Sequence, residues 1–320
     1  MDIILILSGL VALFFGGEWL VRGSVGVAKR LGVSTLLVSL VVVGFGTSAP
    51  ELLVCIKAAL SGAQDLALGN VIGSNIANIL LILGLAAVIR PISCGQASIR
   101  RDAVAVLCAS LVLAFLSFFH EISRISGALM LGLLFAYMYV AYRQDKKSSV
   151  AEKAQGQELQ EHIEEEVHVA GDSTTKSVLL VLLGLGLLVL GADWLVNGAT
   201  SIARAFGISE AVIGLTLVAL GTSLPELATA FIASLKGHSD VVIGNVLGSN
   251  LFNILGILGV TALIAPLALS GRIVEFDLWL MLGTAVLLYP LIRSGHRITR
   301  IEGGFCLFLY AGYIGMMFIT

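Results

Sequence analysis

Residues Gly46–Leu52 read GTSAPEL, and the pattern returns 175 residues later in Gly221–Leu227 as GTSLPEL. A second motif repeats at the same spacing: Gly69–Asn78, GNVIGSNIAN, returns as Gly244–Asn253, GNVLGSNLFN. Each copy places a carboxylate, hydroxyls and amides among Leu, Ile, Val, Ala and Gly. A charge inside an apolar helix is costly and is kept mainly where it handles an ion or a substrate. Two matching charges in two halves therefore predict one symmetric cation site.

The composition excludes a soluble globular protein. Hydrophobic residues make up 58% of the 320 residues and charged residues 12%, with a mean hydropathy of +1.00, whereas about a quarter of a soluble domain is charged. The apolar runs reach the length of about 20 residues that crosses a bilayer as a helix, and such continuous runs exclude a β-barrel. We predict an all-α polytopic membrane protein with ten transmembrane helices. Their approximate positions are 3–28, 35–60, 66–89, 102–119, 125–142, 178–203, 210–235, 241–265, 276–292 and 301–319.

One long polar segment divides these helices into two equal sets. Residues 144–176 contain 8 of the 21 acidic residues, which is typical of a solvated linker. We predict a first five-helix repeat at 1–143, an acidic cytoplasmic linker at 144–176 and a second five-helix repeat at 177–320. An odd number of helices per repeat makes the second half enter the membrane from the opposite side. The repeats are therefore inverted, which allows one site to face each side in turn.

The distribution of Lys and Arg predicts the orientation. The connections on one side, including the linker, carry 14 of the 19 Lys and Arg residues, and those on the other side carry 3. The linker is therefore expected in the cytoplasm, with both termini outside.

The polar residues of the first motif share one helix face. Thr47 and Ser48 lie four and three residues before Glu51, so all three project on the same side. Pro50 donates no hydrogen bond and clashes with the carbonyl of Gly46. The helix should kink there and free backbone carbonyl oxygens near the carboxylate. The second copy repeats this set as Thr222, Ser223, Pro225 and Glu226.

The second motif adds a polar stripe, because its Asn, Ser and Asn are spaced by four residues. These residues are Asn70, Ser74 and Asn78, mirrored by Asn245, Ser249 and Asn253. Asn75 and Asn250 are interpreted as packing polar groups. A lone Ser, Asn or Pro in a membrane helix is commonly structural. The duplicated set, with a Glu in the middle of two spans, favours function.

The donors of both motifs are oxygen atoms, which suit a hard cation such as Ca²⁺. Transition metals would favour His or Cys. Glu51 and Glu226, both ionised, neutralise one divalent cation. Without that cation, two nearby carboxylates need protons or smaller cations to limit their repulsion. This competition predicts ion exchange.

The duplicated motifs resemble the α-repeats of the cation/Ca²⁺ exchanger superfamily, specifically its Na⁺/Ca²⁺ exchanger-like prokaryotic members, over nearly the whole chain. The resemblance implies exchange of three Na⁺ for one Ca²⁺ across the inner membrane. It implies no cofactor, and a lipid bilayer but no nucleic acid or obligate protein as partner. It also implies a cation cluster between the second, third, seventh and eighth spans. Its ligands would be Glu51, Glu226, Thr47, Ser48, Thr222, Ser223, Ser74, Asn78, Ser249, Asn253 and the carbonyls of Gly44 and Ala219.

Other functions remain open at this point. Some relatives carry Asp where this chain has Asn253, and fewer acids disfavour a K⁺-cotransporting member. An H⁺/Ca²⁺ antiporter would trade Ca²⁺ for protons on the same two carboxylates. A cation channel would use the same oxygen donors, although inverted repeats with broken helices favour alternating access. No HExxH, nucleophile elbow or P-loop occurs in the sequence, so we do not expect an enzyme.

Overall fold

The computed structural model describes residues 2–155, 173–206, 219–269, 271 and 273–317, nearly all of them helical. The first-half helices are α1 (Asp2–Leu31), α2 (Thr35–Thr47), α3 (Ala49–Leu60), α4 (Gln64–Ile89), α5 (Ala97–Ser117) and α6 (Arg124–Gln155). The second-half helices are α7 (Thr174–Ala205), α8 (Ala219–Thr222), α9 (Leu224–Lys236), α10 (Ser239–Ile264), α11 (Leu278–Arg293) and α12 (Arg300–Met317). Helix α6 continues into the predicted linker, whose residues 156–172 lie outside the described ranges.

The first motif breaks a helix in each half. Helices α2 and α3 form one rod bent by 43°, and α8 meets α9 at the equivalent point. The break residues, Ser48 and Ser223, have φ/ψ of −84°/10° and −89°/6°. Pro50 and Pro225 are the second residues of α3 and α9, where a missing N–H costs little. The predicted kink is confirmed in both halves, and it lies two residues before each proline.

The second motif contains a different irregularity. A π-helical turn occupies Asn78–Leu83 in α4, and another occupies Phe252–Ile257 in α10. Each begins at or beside the last Asn of the polar stripe. The described residues contain two further such turns, Ser39–Val43 in α2 and Ile273–Asp277 directly before α11. Both motifs therefore contain or adjoin irregular backbone, and π-helical turns occur frequently at functional sites.

The helices that carry the second motif lie at the centre of the bundle. Six described helices are long and apolar enough to cross a membrane, and the bent α2–α3 pair makes seven. In the most apolar window of α10, 94% of the residues are buried, and in α4 72%, against 33% in α1 and 28% in α7. The polar motifs are therefore enclosed by protein, and α1 and α7 turn large apolar side chains outward.

Two short antiparallel ribbons tie the helix ends together. Strand β1 (Ile92–Ser93) pairs with β4 (Arg297–Ile298), and β2 (Glu121–Ile122) pairs with β3 (Leu267–Ala268). The 175-residue repeat maps β1 onto β3 and β2 onto β4 to within a residue, so it exchanges the two ribbons. The α4–α5 connection thus shares a side with the α11–α12 connection and not with its own equivalent, the α10–α11 connection. This is the pairing that inverted halves require.

Glycines set the closest helix contacts. Helices α1 and α7 pack antiparallel through glycines spaced by seven in each, and a Cβ at Gly184 would lie 2.6 Å from the Leu20 nitrogen. Between α2 and α10, a Cβ at Gly248 would lie 2.1 Å from the Leu40 carbonyl oxygen. Small residues allow this approach in a membrane. The α2–α10 contact brings the first motif of one half against the second motif of the other.

Candidate cation site

The two motif carboxylates meet at the centre of the bundle. Glu51 and Glu226 are each 1% exposed, one in the first turn of α3 and the other in the first turn of α9. Ser48 Oγ donates a hydrogen bond to Glu226 Oε1 at 2.7 Å, and Ser223 Oγ donates to Glu51 Oε1 at 3.2 Å. Each carboxylate is therefore held by the serine of the other repeat, and the two motif copies form one site.

Four oxygens of the predicted ligands have no hydrogen-bond partner among the described residues. They are Glu51 Oε2, Glu226 Oε2, Asn78 Oδ1 and Asn253 Oδ1, one from each motif copy. All four residues are 1% exposed. A buried polar atom without a partner is costly, commonly by ~1–3 kcal/mol. Such oxygens suit direct coordination of a hard cation.

The serine hydroxyls surround these oxygens. Ser223 Oγ lies 3.3 Å from Ser74 Oγ, to which it can also donate. Ser249 Oγ donates to the Gly44 carbonyl at 3.1 Å. A Cβ at Gly44 would lie 2.7 Å from the Ser249 nitrogen, so glycine is needed for this approach. A donating hydroxyl keeps lone pairs for a cation.

The threonine hydroxyls are engaged in symmetric contacts with the start of each polar stripe. Thr47 Oγ1 lies 3.0 Å from the Val43 carbonyl and 3.2 Å from Asn245 Oδ1. Thr222 Oγ1 donates to Asn70 Oδ1 at 3.4 Å. Ala219, whose carbonyl the resemblance implied as a ligand, begins α8 immediately before the second motif.

Four other amides, outside the predicted ligand set, belong to the same motifs. Asn78 Nδ2 donates to Asn250 Oδ1 at 2.9 Å, which links the two stripes, whereas Asn75 Nδ2 donates to the Val71 carbonyl of its own helix at 2.7 Å. Asn70 and Asn245 belong to the predicted stripes but not to the predicted ligands. Only the packing of one half on the other reveals their contacts with the threonines.

The electrostatics of the site favour a divalent ion. Neither Glu51 nor Glu226 has an ion-pair partner in the part of the chain that the structure describes. The described part of the chain contains no cluster of three or more His, Cys, Asp or Glu that could hold a metal ion. The site therefore offers two carboxylates and otherwise neutral oxygens, whose charge one divalent cation balances.

Inverted halves and a central oxygen cluster define a secondary cation transporter of the membrane. Residues 1–143 and 176–319 match the family model for sodium/calcium exchanger protein, and the chain belongs to that family. The chain is 30% identical to the sodium/calcium exchanger MaX1 of Methanosarcina acetivorans, over 99% of this chain and 98% of that protein. It is 35% identical to inner membrane protein YrbG of Escherichia coli, over 82% and 79% of the two chains.

A solved structure agrees with this assignment. The sodium-calcium exchanger NCX_Mj, soaked with 10 mM Na⁺ and 10 mM Sr²⁺, matches with a TM-score of 0.84 and 32% identity, over 98% of this chain and 97% of that chain. The match confirms the predicted ten-helix polytopic membrane fold. The predicted family is confirmed as well, and the chain is a cation/Ca²⁺ antiporter and not an enzyme.

Proposed function

We propose that the chain exchanges Na⁺ for Ca²⁺ through the central oxygen cluster by alternating access. The observation that carries the proposal is the set of four buried, unpartnered oxygens on Glu51, Glu226, Asn78 and Asn253. Two carboxylate and two amide oxygens provide two formal negative charges, which match one Ca²⁺. Serine hydroxyls and backbone carbonyls around them complete the six to eight oxygens that Ca²⁺ prefers.

The proposed ligand set is the one expected from the sequence. The two carboxylates take the central positions, because each has one oxygen fixed by a serine and one oxygen unpartnered. The hydroxyls and carbonyls provide separate positions for smaller cations once Ca²⁺ leaves. The full set comprises Glu51, Glu226, Thr47, Ser48, Thr222, Ser223, Ser74, Asn78, Ser249, Asn253, Gly44 and Ala219.

Exchange follows from competition for the same charges. A Ca²⁺ ion that leaves exposes two carboxylates to each other across a low-dielectric interior, and this is unfavourable until other cations arrive. The transporter with an empty site therefore does not readily switch the side of the membrane to which the site is open, whereas the loaded transporter does. The broken rods α2–α3 and α8–α9 allow each half to open toward its own side.

Na⁺ is the favoured coupling ion. MaX1 and NCX_Mj are both named sodium/calcium exchangers, and the neutral oxygens here outnumber the two groups that could carry protons. The alternative is H⁺/Ca²⁺ antiport, in which Glu51 and Glu226 trade Ca²⁺ for protons.

The proposed topology places the linker 144–176 in the cytoplasm, between repeats 1–143 and 177–320, with both termini outside the inner membrane. The Lys and Arg asymmetry supports this orientation. Single cysteines at Ser149 and at Thr320, in a background without Cys55, Cys94, Cys108 and Cys306, would test it with a membrane-impermeant thiol reagent. Labelling of intact cells at Ser149 and not at Thr320 would reverse the orientation.

Flux measurements test the coupling ion. Purified protein in proteoliposomes should take up ⁴⁵Ca²⁺ when Na⁺ is loaded inside and diluted outside, at equal pH. An imposed pH gradient without Na⁺ should drive no uptake. The opposite pattern would establish proton coupling. Uptake that needs neither gradient and reaches channel rates would contradict antiport.

A further inference from the structure

The first asparagine of each polar stripe makes a different hydrogen bond in the two repeats. In the second repeat, Asn245 accepts from Thr47 Oγ1 at 3.2 Å and donates through Nδ2 to the backbone carbonyl of Glu226 at 3.1 Å. Because Ser48 donates to the Glu226 side chain, this glutamate is held at both its backbone and its carboxylate.

The first repeat uses its asparagine differently. Asn70 accepts from Thr222 Oγ1 at 3.4 Å, as its equivalent does from Thr47, but its Nδ2 donates to Cys55 Sγ at 3.3 Å. The thiol in turn donates to the Ala67 carbonyl at 3.4 Å. The amide of Asn70 is thereby directed to sulfur, and among the described residues no side chain donates to the backbone carbonyl of Glu51 as Asn245 does to that of Glu226.

The sequence explains the difference. The residue equivalent to Cys55 in the second repeat is Ala230, and both are buried, at 0% and 1% exposure. A thiol offers the asparagine amide an acceptor, whereas a methyl group offers none. With alanine in this place, the amide donates to the glutamate carbonyl.

We infer that Asn70 and Asn245 are positioning residues for the two carboxylates, and that Cys55 makes the two faces of the transporter unequal in apparent Ca²⁺ affinity. This inference rests on the proposed exchange function. Inverted repeats with identical surroundings would present equivalent sites to the two sides. The Thr, Ser, Glu and Asn side chains of the motifs are identical in the two copies. A difference between the faces would then come from other residues around the site, and Cys55 redirects the hydrogen bond of Asn70.

Exchanging the two neighbours tests the inference. The measured quantity is the ratio of the KM for Ca²⁺ on the cytoplasmic face to that on the outer face, from Na⁺-dependent ⁴⁵Ca²⁺ uptake in inside-out and right-side-out vesicles. Wild type should differ between faces by about fivefold, the worth of one net hydrogen bond. Cys55→Ala and Ala230→Cys each make the two repeats alike, so each should move the ratio toward one. The double variant should invert the ratio.

Two further variants separate positioning from packing. Cys55→Ser keeps an acceptor for Asn70 and should retain the wild-type ratio. Comparing it with Cys55→Ala tests the inference even if Ala230→Cys does not fold. Cys306→Ala removes another thiol, 1% exposed, from α12 outside the site and should leave the ratio unchanged. A wild-type ratio of one, or a wild-type ratio retained in Cys55→Ala and the double variant, would overturn the inference while exchange itself remained. No Na⁺-dependent uptake by wild type would instead refute the proposed function.

Discussion

The centre of the bundle, built by the motif helices, and the outer pair α1 and α7 follow the same pseudo-symmetry, but the centre is far richer in buried polar contacts. In the centre, side-chain hydrogen bonds cross between the halves, as from Ser48 to Glu226 and from Asn78 to Asn250. In the outer pair, glycines bring the two backbones together, as Gly44 and Gly248 also do in the centre, and the hydrogen bond from Ser201 to Asp2 joins the two helices near one end. Packing can hold helices in a membrane without any polar group. Packing alone thus does not account for the central polar contacts, and the proposed ion site does.

Neutralising one carboxylate should have the largest effect on ion flux, and it should act on the centre without weakening the framework. Glu51→Gln or Glu226→Gln keeps the side-chain size but removes a charge that balances the divalent ion. With Ca²⁺ bound, the carboxylate and the ion form a buried charge pair. Loss of one partner from such a pair costs roughly 3–5 kcal/mol, so ⁴⁵Ca²⁺ flux should fall by about 100-fold or more. The thermal midpoint without Ca²⁺ should not fall, because the substitution removes an unpaired buried charge. Glu121→Gln, at the exposed residue of strand β2, is the control. Near-wild-type flux in both Glu51→Gln and Glu226→Gln would mean that the site is wrong.

Membrane potential should affect the central site next most strongly. Three Na⁺ leaving as one Ca²⁺ enters would carry one net positive charge outward, worth about 2.3 kcal/mol per 100 mV. Uptake of Ca²⁺ into vesicles should therefore quicken when the interior is made positive with K⁺ and valinomycin. Equal uptake at potentials of either sign would establish electroneutral exchange.

How far the sequence predicts this centre depends on whether a feature is local or crosses between halves. The glutamates, the polar stripes and the kinks follow from residue type and spacing, because proline and helical periodicity act within one helix. The position of each break at Ser48 and Ser223 does not follow, since proline at the second residue of a helix allows the break to lie before it. The π-helical turns at Asn78 and Phe252 carry no simple residue signature.

Contacts between the repeats were beyond sequence reasoning for a different physical reason. The pairing of Ser48 with Glu226, or of Asn245 with Thr47, depends on how two helices pack through Gly44 and Gly248. Their glycines indicate a close approach but not a register. The orientation in the membrane and the roles of the individual ligands remain predictions.

Glycine substitutions should separate the centre from the outer pair. Gly248→Ala puts a methyl group against the Leu40 carbonyl, and Gly16→Ala puts one 2.9 Å from the Leu188 nitrogen. Overpacking of either contact should lower stability by about 2 kcal/mol. Only Gly248→Ala should also raise the KM for Ca²⁺, because it moves Ser249 relative to Gly44. Gly132→Ala, where a Cβ meets no described atom within 4 Å, is the control, and an equal rise in KM in both packing variants would remove the distinction.

Acid should weaken Ca²⁺ binding at the centre and spare the framework. A protonated Glu51 or Glu226 no longer balances the ion, so the KM for Ca²⁺ should rise as the pH falls. The rise is limited to about tenfold per pH unit for each competing proton, equivalent to 1.36 kcal/mol. The thermal midpoint of the Ca²⁺-free protein should change little over the same pH range. A KM that is constant from mildly alkaline to mildly acidic pH would show that protons do not compete at these carboxylates.

The smallest expected effect concerns the ribbons at the edge of the framework. His120 directly precedes β2, and His296 directly precedes β4. Both have φ of +56° and are the non-glycine residues with positive φ in the described part of the chain. Their carbonyls accept backbone hydrogen bonds from Leu269 and Cys94 at 2.8 and 2.7 Å, which holds them in this conformation.

The left-handed region costs an L-residue about 1–2 kcal/mol, and glycine avoids that cost but loses about 0.5–1 kcal/mol through the unfolded chain. His296→Gly should therefore raise the free energy of unfolding by no more than about 1.5 kcal/mol, whereas His296→Val should lower it. Arg297→Gly, at an extended residue with φ/ψ of −155°/144°, should be destabilising and is the matched control. Thermal unfolding in detergent checks the order of the three variants, and ⁴⁵Ca²⁺ flux should be unchanged in His296→Gly. A glycine at 296 that destabilises as much as valine would mean that the ribbon stores no conformational strain at this turn, and a loss of flux would mean that the framework and the ion site are not independent.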